Sequence, residues 1–273
     1  MTHAHPTLSA IVITRNEAHN LHDCLQSMQG LVDEIIVVDS QSTDATVAIA
    51  QQHGAKVTQP ADWPGFGPQK NRALDLATCD WVFSIDADER VTPALAAEIK
   101  QVLQTDGPDA AYKLPRLSSY CGQFIHHSGW QPDYVLRLFK RGTAKFSDDL
   151  VHERVVTEHQ VLPLRHHLLH YSYLNFSQVL SKVDAYSSAS AQQAYARGKR
   201  SSVAGALGHG AWAFFRTYVI RRGFLDGAHG LALAISNAET SYYKYLKLWH
   251  MRQAENAAEM LSQEAATDKS VEP

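Results

Sequence analysis

Cysteine is scarce in this 273-residue chain, and long apolar runs are absent. Its three cysteines are odd in number, far apart and without a CxxC pair, which excludes a disulfide framework and a cysteine zinc site. No uncharged apolar stretch reaches the roughly 18 to 20 residues that a membrane-spanning helix needs. Residues 1–6 also lack the basic start and apolar core of a secretory signal. We therefore expect a protein of a reducing, cytoplasmic compartment.

Neither sign of charge dominates the chain. Lys and Arg number 25 and Asp and Glu number 28, which gives a net charge of -3. Without an overall basic field, nucleic acid is not expected to be the main partner. There is no GxGxxG motif after the first predicted strand and no GxxxxGK[ST] motif anywhere, which disfavours dinucleotide and P-loop binding. The 45% of hydrophobic residues still suffices for a full-sized core.

Strand-like and helix-like segments alternate in the first part of the chain. The stretches Leu8–Thr14 and Glu34–Asp39 are continuously apolar, which is typical of strands buried on both faces. Further strands are predicted at Lys56–Thr58 and Asp80–Ile85, and a helix is predicted over Asn71–Ala77. This alternation predicts an α/β fold with a mostly parallel, doubly wound sheet.

Composition divides the chain into four predicted parts. Residues 1–106 form the α/β half, and residues 107–174 are strand-rich and aromatic, as in a smaller mixed sheet. Residues 175–254 are helical in character. Residues 255–273 are acidic and have no strong apolar stripe, which predicts a flexible tail.

Polar motifs follow three of the predicted strands, where a doubly wound sheet binds its ligands. They are Thr14–Glu17, Asp39–Asp44 and Asp86–Glu89. Residues two apart in an extended segment point the same way, so Asp86 and Asp88 can face one hard cation together with phosphate and water oxygens. The alternative is structural, because such residues also suit strand-to-helix turns and could cap a helix near Pro93.

Phosphate groups at this rim would need single basic residues or a metal, since no glycine-rich phosphate loop is present. Lys70, in the segment GFGPQKNRAL, and Arg72 are the two candidates.

These motifs occur together in a known family. The segments AIVITRNEAHNL, EIIVVDSQSTDAT, GFGPQKNRAL and WVFSIDADER resemble the family 2 glycosyltransferases of the GT-A fold. The later segments GWQPDYVLRLFKRG, LVHERV and HYSYLNFSQVLSKVDAYS are similar to the subgroup of bacterial lipopolysaccharide core β-glucosyltransferases. The resemblance covers about residues 8 to 250. It implies a Rossmann-like, mostly parallel sheet with a smaller mixed sheet and a C-terminal helical extension.

The resemblance implies an inverting transfer of a hexose, expected to be glucose from UDP-glucose, with Mg²⁺ or Mn²⁺ on the donor diphosphate. A divalent cation and Lys70 would stabilise the negative charge that develops on the departing diphosphate. The sequence has VVDS where many family members have VDDGS, so one acid is missing. The donor-binding residues that the resemblance implies are Thr14, Arg15, Asn16, Glu17, Asp39, Lys70, Asp86 and Asp88.

Inversion in a single displacement requires a carboxylate that takes the proton from the acceptor hydroxyl. The resemblance implies Glu153, in LVHERV, as this catalytic base, and Asp148 and Asp149 compete with it. The structural alternative is an ion pair of Glu153 with Arg154 or Arg137.

A histidine completes the implied metal shell. The resemblance assigns the metal to Asp88 and His170, with His152 as the rival ligand. A structural role for either histidine is the alternative.

Three residues fall where the resemblance places the acceptor sugar: Trp130, Asp133 and Arg137. Trp130 could stack on a pyranose face and Asp133 could accept hydrogen bonds from its hydroxyl groups. Alternatively, Trp130 belongs to the core and Asp133 pairs with Arg137 at the surface.

Residues 185–225 contain six basic residues, no acid and several interleaved aromatic residues. This composition predicts contact with lipid headgroups and with the phosphates of a lipid-linked saccharide acceptor, and hence a peripheral position on the inner face of the inner membrane. An ordinary helix packed on the catalytic domain is the alternative. The basic residues are Arg197, Lys199, Arg200, Arg216, Arg221 and Arg222.

Three other functions remain open. The enzyme could load a polyprenyl phosphate or another glycan instead of the expected lipopolysaccharide inner core. A nucleotidyltransferase also needs paired carboxylates, but it would normally show a glycine- and basic-rich triphosphate loop, which is absent here. A non-catalytic, membrane-associated scaffold is the third.

Overall fold

The computed structural model describes residues 6–105, 110–148 and 153–268, so that Asp149 and His152 lie outside the described residues. The chain divides into two compact units. The first comprises the chain up to Ser118 together with Pro132–Ser172, and the second comprises Ser119–Gln131 and the chain from Tyr173 onward. Each unit has buried apolar clusters of its own.

A parallel half-sheet forms the centre of the first unit. Its strands, in sheet order, are β3 (Lys56–Thr58), β2 (Glu34–Asp39), β1 (Leu8–Thr14) and β4 (Trp81–Ser84). The connecting helices are α1 (Ala18–Ser27), α2 (Thr46–Gln52) and α3 (Phe66–Asp75). The predicted α/β class is confirmed, and β1 and β4 are almost entirely buried, as their continuous apolar sequences require.

Antiparallel strands extend this half-sheet. The further elements of this unit are β5 (Glu89–Val91), α4 (Pro93–Gln104), β6 (Ala110–Tyr120), β8 (Tyr134–Lys140), β9 (Ala144–Phe146), β10 (Val155–Thr157), β11 (Gln160–Pro163) and β12 (Leu168–Tyr173). The sheet continues from β4 in the order β8, β6, β12 and β5. The pairs β4–β8, β8–β6 and β12–β5 are antiparallel, and β11 is parallel to β6. A separate antiparallel pair joins β9 and β10.

Helix α3 begins earlier than its apolar periodicity predicts. It starts at Phe66, whereas the sequence predicts a helix from Asn71. Gly65, at φ 114°, precedes the helix, and Pro68 lies in its first turn, where the missing N–H costs little. The earlier start puts Gly67 and Lys70 on the buried side of the same helix.

The second unit is mainly helical, which confirms the predicted C-terminal helical extension. Strand β7 (Gln123–Phe124) pairs with the end of β6. The helices are α5 (Phe176–Ala196), α6 (Val203–Phe215) and α7 (Gly227–Asp268), with a π-helical turn at Arg216–Ile220 and a 3-10 turn at Gly223–Asp226. Helix α7 continues into the segment where the sequence predicts a flexible tail, because Ala and Glu recur there and favour helix.

Across residues 6–105, 110–148 and 153–268, none of the helices has both the length and the apolar content that a bilayer-crossing segment requires.

Candidate active site

The carboxyl ends of β1, β2 and β4 lie at one edge of the sheet. Thr14 and Asp39 are register partners at the ends of β1 and β2, and Thr14 Oγ1 donates to Asp39 Oδ1 over 2.9 Å. Ile85 N donates to Ile11 O over 3.1 Å, which keeps the chain after β4 beside β1 until it reaches Asp86. The three polar motifs therefore follow strands that end at the same edge.

Asp39 is fully buried, and its carboxylate holds the turn after β2 together. Besides Thr14, the carboxylate accepts hydrogen bonds from Ser42 N at 2.9 Å and from Gln59 Nε2 at 3.0 Å. Both oxygens of the Asp39 carboxylate thus accept hydrogen bonds from groups of the protein. A contact between Asp39 and a nucleotide sugar stays a prediction.

The residues after β1 are more accessible. Arg15 and Asn16 are exposed, and Asn16, at φ 56°, accepts a hydrogen bond from Thr43 N at 2.8 Å. Glu17 is half-buried; burial raises its pKa, and the nearby charge of Asp88 raises it further. The first and third polar motifs are thus close enough for their charges to interact.

Asp86 lies between two cations. Lys70 Nζ is 3.0 Å from Asp86 Oδ1, and Arg137 Nη2 donates to Oδ2. Burial alone would raise the pKa of Asp86, but the charges of Arg137 and Lys70 hold it well below its ordinary value. Neither acidic residue of the motif caps α4, whose N-cap is Thr92, with Oγ1 accepting from Leu95 N at 3.2 Å.

A buried ion pair that the sequence analysis missed supports Asp86. Glu89 has no exposed surface; Oε1 accepts from Arg137 Nη2 at 2.7 Å, and Oε2 accepts from Asp86 N at 3.0 Å. Arg137 is itself 6% exposed and faces these carboxylates, because an unpaired buried Glu89 would be costly. A contact of Arg137 with the acceptor stays a prediction. Asp133 pairs instead with Arg116, whose Nε lies 2.9 Å from Oδ2.

Asp88 and His170 are brought together by strand pairing. In the antiparallel pair of β5 and β12, His170 lies opposite Glu89, and Tyr171 N donates to Asp88 O at 2.8 Å. As a result, His170 Nε2 is 3.3 Å from Asp88 Oδ2. The other ring nitrogen, Nδ1, is 2.8 Å from Ser118 Oγ, which fixes the orientation of the imidazole.

The donor set of Asp88 and His170 fits a divalent cation. Carboxylate oxygen and imidazole nitrogen are both metal ligands, and the contact of Ser118 with the second ring nitrogen is of the kind that orients metal-bound histidines. Among the residues that the structure describes, no three or more His, Cys, Asp or Glu side chains are grouped as in a metal site. A cation held by Asp88 and His170 stays a prediction, in which a diphosphate and water would supply the other ligands.

Glu153 is the second carboxylate that contacts Lys70. Lys70 Nζ lies 3.0 Å from Glu153 Oε1, and Lys70 is only 5% exposed. The cation paired with Glu153 is thus Lys70, whereas the sequence analysis considered Arg154 or Arg137. The rival base Asp148 is exposed. One ammonium group joins the predicted base to the first carboxylate of the motif after β4.

Two further residues of α3 position the segment that carries Glu153. Gly67 approaches Ser147 so closely that a Cβ atom would lie 1.8 Å from Ser147 O and 3.6 Å from Glu153 Cβ. Asn71 forms two hydrogen bonds with the backbone of Phe146. Asn71 Nδ2 donates to Phe146 O at 2.9 Å, and Phe146 N donates to Asn71 Oδ1 at 2.8 Å. Neither role was predicted from the sequence, although Gly67 and Asn71 are four residues apart and therefore lie on one face of α3.

Comparison with known proteins identifies the family of this chain. The family model of Glycosyl transferase family 2 matches residues 9–159. The chain belongs to this family. The glycosyltransferase is 32% identical over 264 residues to an uncharacterized glycosyltransferase of Rickettsia felis, covering 90% of each chain. It is 33% identical over 204 residues to the lipopolysaccharide core biosynthesis glycosyltransferase LpsC of Rhizobium meliloti, covering 71% of this chain and 73% of the relative.

A partial likeness to a solved structure also exists. The glycosyltransferase is 28% identical to glucosyl-3-phosphoglycerate synthase from Mycobacterium tuberculosis in complex with Mn²⁺, UDP and glucosyl-3-phosphoglycerate. The likeness covers 42% of this chain and 44% of that chain, with a TM-score of 0.35. Membership of the family confirms the resemblance found in the sequence and favours a glycosyltransferase over a nucleotidyltransferase or a scaffold.

Arg72 and Trp130 are two other residues that the sequence analysis singled out in the glycosyltransferase. Arg72 Nη2 pairs with Asp62 Oδ2 at 2.7 Å, whereas Lys70 is part of the cluster. Trp130 belongs to the second unit, where it is half-buried and stacks on Tyr173 with ring centroids 6.0 Å apart.

Proposed function

We propose that this glycosyltransferase transfers glucose from UDP-glucose to a lipopolysaccharide inner-core acceptor with inversion at the anomeric carbon. The observation that carries the proposal is the carboxylate cluster at the sheet edge, where Lys70 joins Asp86 to Glu153 and Asp88 lies beside His170. The acceptor class is supported by the relative LpsC, which is named for lipopolysaccharide core biosynthesis.

The donor nucleoside is proposed to bind along the turns after β1 and β2. Arg15, Asn16 and Glu17 are accessible enough to contact it. Thr14 and Asp39 are buried and would shape this surface through their mutual hydrogen bond.

Asp88 and His170 are proposed to hold Mg²⁺ or Mn²⁺, and Ser118 would keep the imidazole oriented. When bound to the donor diphosphate, the cation neutralises charge on the leaving group. Asp86, already balanced by Arg137 and Lys70, would keep Lys70 beside the diphosphate.

Lys70 couples donor and acceptor chemistry in this proposal. A donor diphosphate competes with Glu153 for the ammonium group, and once Lys70 turns to the diphosphate, Glu153 Oε1 is released from its ion pair. The acceptor oxygen then forms a bond to the anomeric carbon while the bond from that carbon to the diphosphate oxygen breaks. Glu153 accepts the hydroxyl proton, and Lys70 stabilises the negative charge of the departing UDP.

The acceptor sugar is proposed to contact Asp133 of the first unit. The carboxylate of Asp133 is held by Arg116 but remains about one-third exposed, at 35%, so that it can accept hydrogen bonds from hydroxyl groups. An acceptor contact of Trp130, whose indole ring in the second unit is partly exposed, stays a separate prediction. Because the acceptor is lipid-linked, the enzyme is proposed to work at the inner face of the inner membrane.

Thermal shift with nucleotide sugars tests this function, since a ligand that binds the native state raises the melting temperature. We expect UDP-glucose to raise Tm more than GDP-mannose or a CDP-sugar, and Mn²⁺ to enlarge that shift. The variant Asp88→Asn should lose the manganese-dependent part of the shift. A shift with GDP-mannose alone would overturn the proposed donor and favour a transferase that loads polyprenyl phosphate.

A further inference from the structure

Helix α6 has an inverted distribution of side-chain size. Its buried residues are the small Ala206, Gly210 and Ala213, whereas Leu207 and Trp212 are 59% and 54% exposed. A water-facing helix normally buries its large apolar residues and exposes polar ones. Here the large apolar residues point away from the second unit's core.

The small residues explain how α6 packs. A Cβ atom at Gly210 would lie 3.2 Å from Tyr242 Cβ and 3.3 Å from Ala238 O, so the helix lies close against α7. This packing uses only the small face. It leaves the outer face of α6 without a partner in the second unit.

The exposed apolar surface continues past the end of α6. Ile220 is 55% exposed, and Phe224 and Leu225 in the following 3-10 turn are also exposed. We call the whole surface the α6 face; it consists of Val203, Leu207, Trp212, Phe215, Val219, Ile220, Phe224 and Leu225. Exposed large apolar residues that recur over consecutive turns are typical of an interaction site.

Cations flank the α6 face at both ends. Lys199 and Arg200 precede the helix, and Arg216, Arg221 and Arg222 follow it, all of them exposed. Helix α6 itself contains no Asp, Glu, Lys or Arg, and no acid occurs in residues 185–225. The first acid after this stretch, Asp226, is buried and accepts hydrogen bonds from backbone and side chains of the second unit.

We propose that the α6 face docks onto a membrane surface that carries anionic headgroups, with the apolar side chains among the acyl chains and the cations at the phosphates. Apolar area combined with flanking basic residues is what interfacial helices use. Helix α6 has 13 residues and is about 20 Å long, whereas the hydrocarbon core is about 30 Å thick, so it lies in the interface. This inference rests on the proposed function in one respect: a lipid-linked acceptor would require the enzyme to work at a membrane.

A second copy of the chain fits this surface less well. In a symmetric dimer the same surface meets itself, which would bring the flanking cations together with no acid in residues 185–225 to pair them. An anionic lipid surface supplies negative charge to these cations, of which Arg200 also interacts with an acid of the chain, Glu255 of α7.

Vesicle sedimentation of the full chain tests the proposal. We expect binding to vesicles of phosphatidylcholine with phosphatidylglycerol, and much weaker binding to phosphatidylcholine alone. Leu207→Ser should weaken binding roughly tenfold, because a leucine no longer enters the apolar region. Arg216→Gln should weaken it roughly fivefold and make it less sensitive to salt. The matched control is Leu76→Ser, an exposed leucine of the first unit, which should bind as the wild type does.

Fluorescence locates the contact independently. The emission of Trp212 should shift to the blue on adding anionic vesicles, and Trp212→Phe should remove that shift while vesicles are still bound. Wild-type protein that stays in the supernatant with anionic vesicles at low salt would overturn the proposal. So would a dimer in lipid-free sedimentation velocity that Leu207→Ser converts to a monomer, because the α6 face would then bind a second copy.

Failure of this inference and failure of the proposed function give different results. Transfer of glucose to a delipidated, soluble inner-core acceptor should be unchanged in Leu207→Ser. Normal transfer by a wild type that does not bind vesicles would refute the docking surface alone. Vesicle binding without UDP-sugar turnover would refute the proposed function alone.

Discussion

Lys70 Nζ lies 3.0 Å from Glu153 Oε1, and the same nitrogen lies 3.0 Å from Asp86 Oδ1. One ammonium group thus holds the proposed base and the first carboxylate of the acidic motif. Because the Lys70 side chain is buried, an exchange of its partners requires another anion at the ammonium group. In the proposed function that anion is the donor diphosphate, so donor binding precedes release of the base.

Replacement of Lys70 tests this coupling. Lys70→Met should lower kcat at least roughly a hundredfold and weaken UDP-glucose binding roughly tenfold, because a charge-assisted contact to the leaving group is lost. Steady-state turnover and thermal shift measure the two effects, and Lys70→Arg should recover part of both. Arg72→Met, a change in the same helix at a residue paired with Asp62, should alter turnover less than about twofold. Wild-type turnover in Lys70→Met would refute the coupling.

The proposed base is tested by an isosteric change. Glu153→Gln should reduce transfer by roughly 10²- to 10⁴-fold, because the amide cannot accept the hydroxyl proton. The manganese-dependent thermal shift with UDP-glucose should persist, since donor binding does not need the base. The control is Asp148→Asn, at an exposed carboxylate nearby in sequence. If this control loses turnover and Glu153→Gln keeps it, the base has been assigned to the wrong residue.

Ser118 offers a test of the metal site that leaves both proposed ligands in place. Ser118→Ala removes the contact at His170 Nδ1 and should weaken the apparent Mn²⁺ affinity by roughly 10- to 100-fold. A manganese titration of UDP-glucose turnover measures this, and saturating Mn²⁺ should restore most of the rate. His166→Ala, at an exposed histidine that contacts Glu98, should leave the titration unchanged. An unchanged titration in Ser118→Ala would argue against His170 as a ligand.

The acidic side chain at the start of β2 makes stability depend on pH. Glu34 is buried, which alone would raise its pKa, but hydrogen bonds from Lys56, Ser9 and Thr78 lower it from 4.5 to about 2. A lowered folded pKa gives stability that is complete above pH 4.5 and is lost as the pH falls through 2. The contribution at neutral pH is on the order of 3 kcal/mol.

Urea unfolding at pH 7 and at pH 3 measures this contribution. Wild-type protein should lose more unfolding free energy between the two pH values than Glu34→Gln does. Glu158→Gln, at an exposed carboxylate, should follow the wild type. Equal losses in Glu34→Gln and wild type would show that Glu34 does not cause the pH dependence.

The strands of the parallel half could be predicted because their sequences are continuously apolar; β1 and β2 have the predicted bounds. The start of α3 could not be predicted, because Gly65, Gly67 and Pro68 are residue types typical of a loop when their tertiary contacts are unknown. The position of β8 between β4 and β6 was equally hidden, since antiparallel insertion into a parallel sheet leaves no local signature.

The sequence predicted the edge of the sheet at which Asp86 and Asp88 lie, because the carboxyl ends of parallel strands meet at one edge. Sequence could not reveal that Arg137 is buried against Glu89, since the two residues lie on different strands and only pairing of the sheet brings them together. The ion pair of Lys70 with Glu153 was hidden for the same reason, as 83 positions separate them in the chain.

Gly67 gives the most stringent test of how α3 positions Glu153. A Cβ atom at this residue would overlap the backbone oxygen of Ser147, so Gly67→Ala must push the segment that carries Glu153 away from Lys70. We expect kcat to fall roughly tenfold or more, because small displacements of a catalytic group are costly, and unfolding free energy to fall by about 1–3 kcal/mol.

Gly208 supplies the matched control for this substitution. It is also a helical glycine, and a Cβ atom there meets nothing within 4 Å, so Gly208→Ala should be neutral or slightly stabilising in soluble assays. Turnover with a soluble acceptor and urea unfolding compare the two variants directly. Because Gly67 is not one of the proposed donor-binding residues, the thermal shift with UDP-glucose should survive in Gly67→Ala. Full turnover in Gly67→Ala would mean that the contact with Ser147 does not set the position of the base.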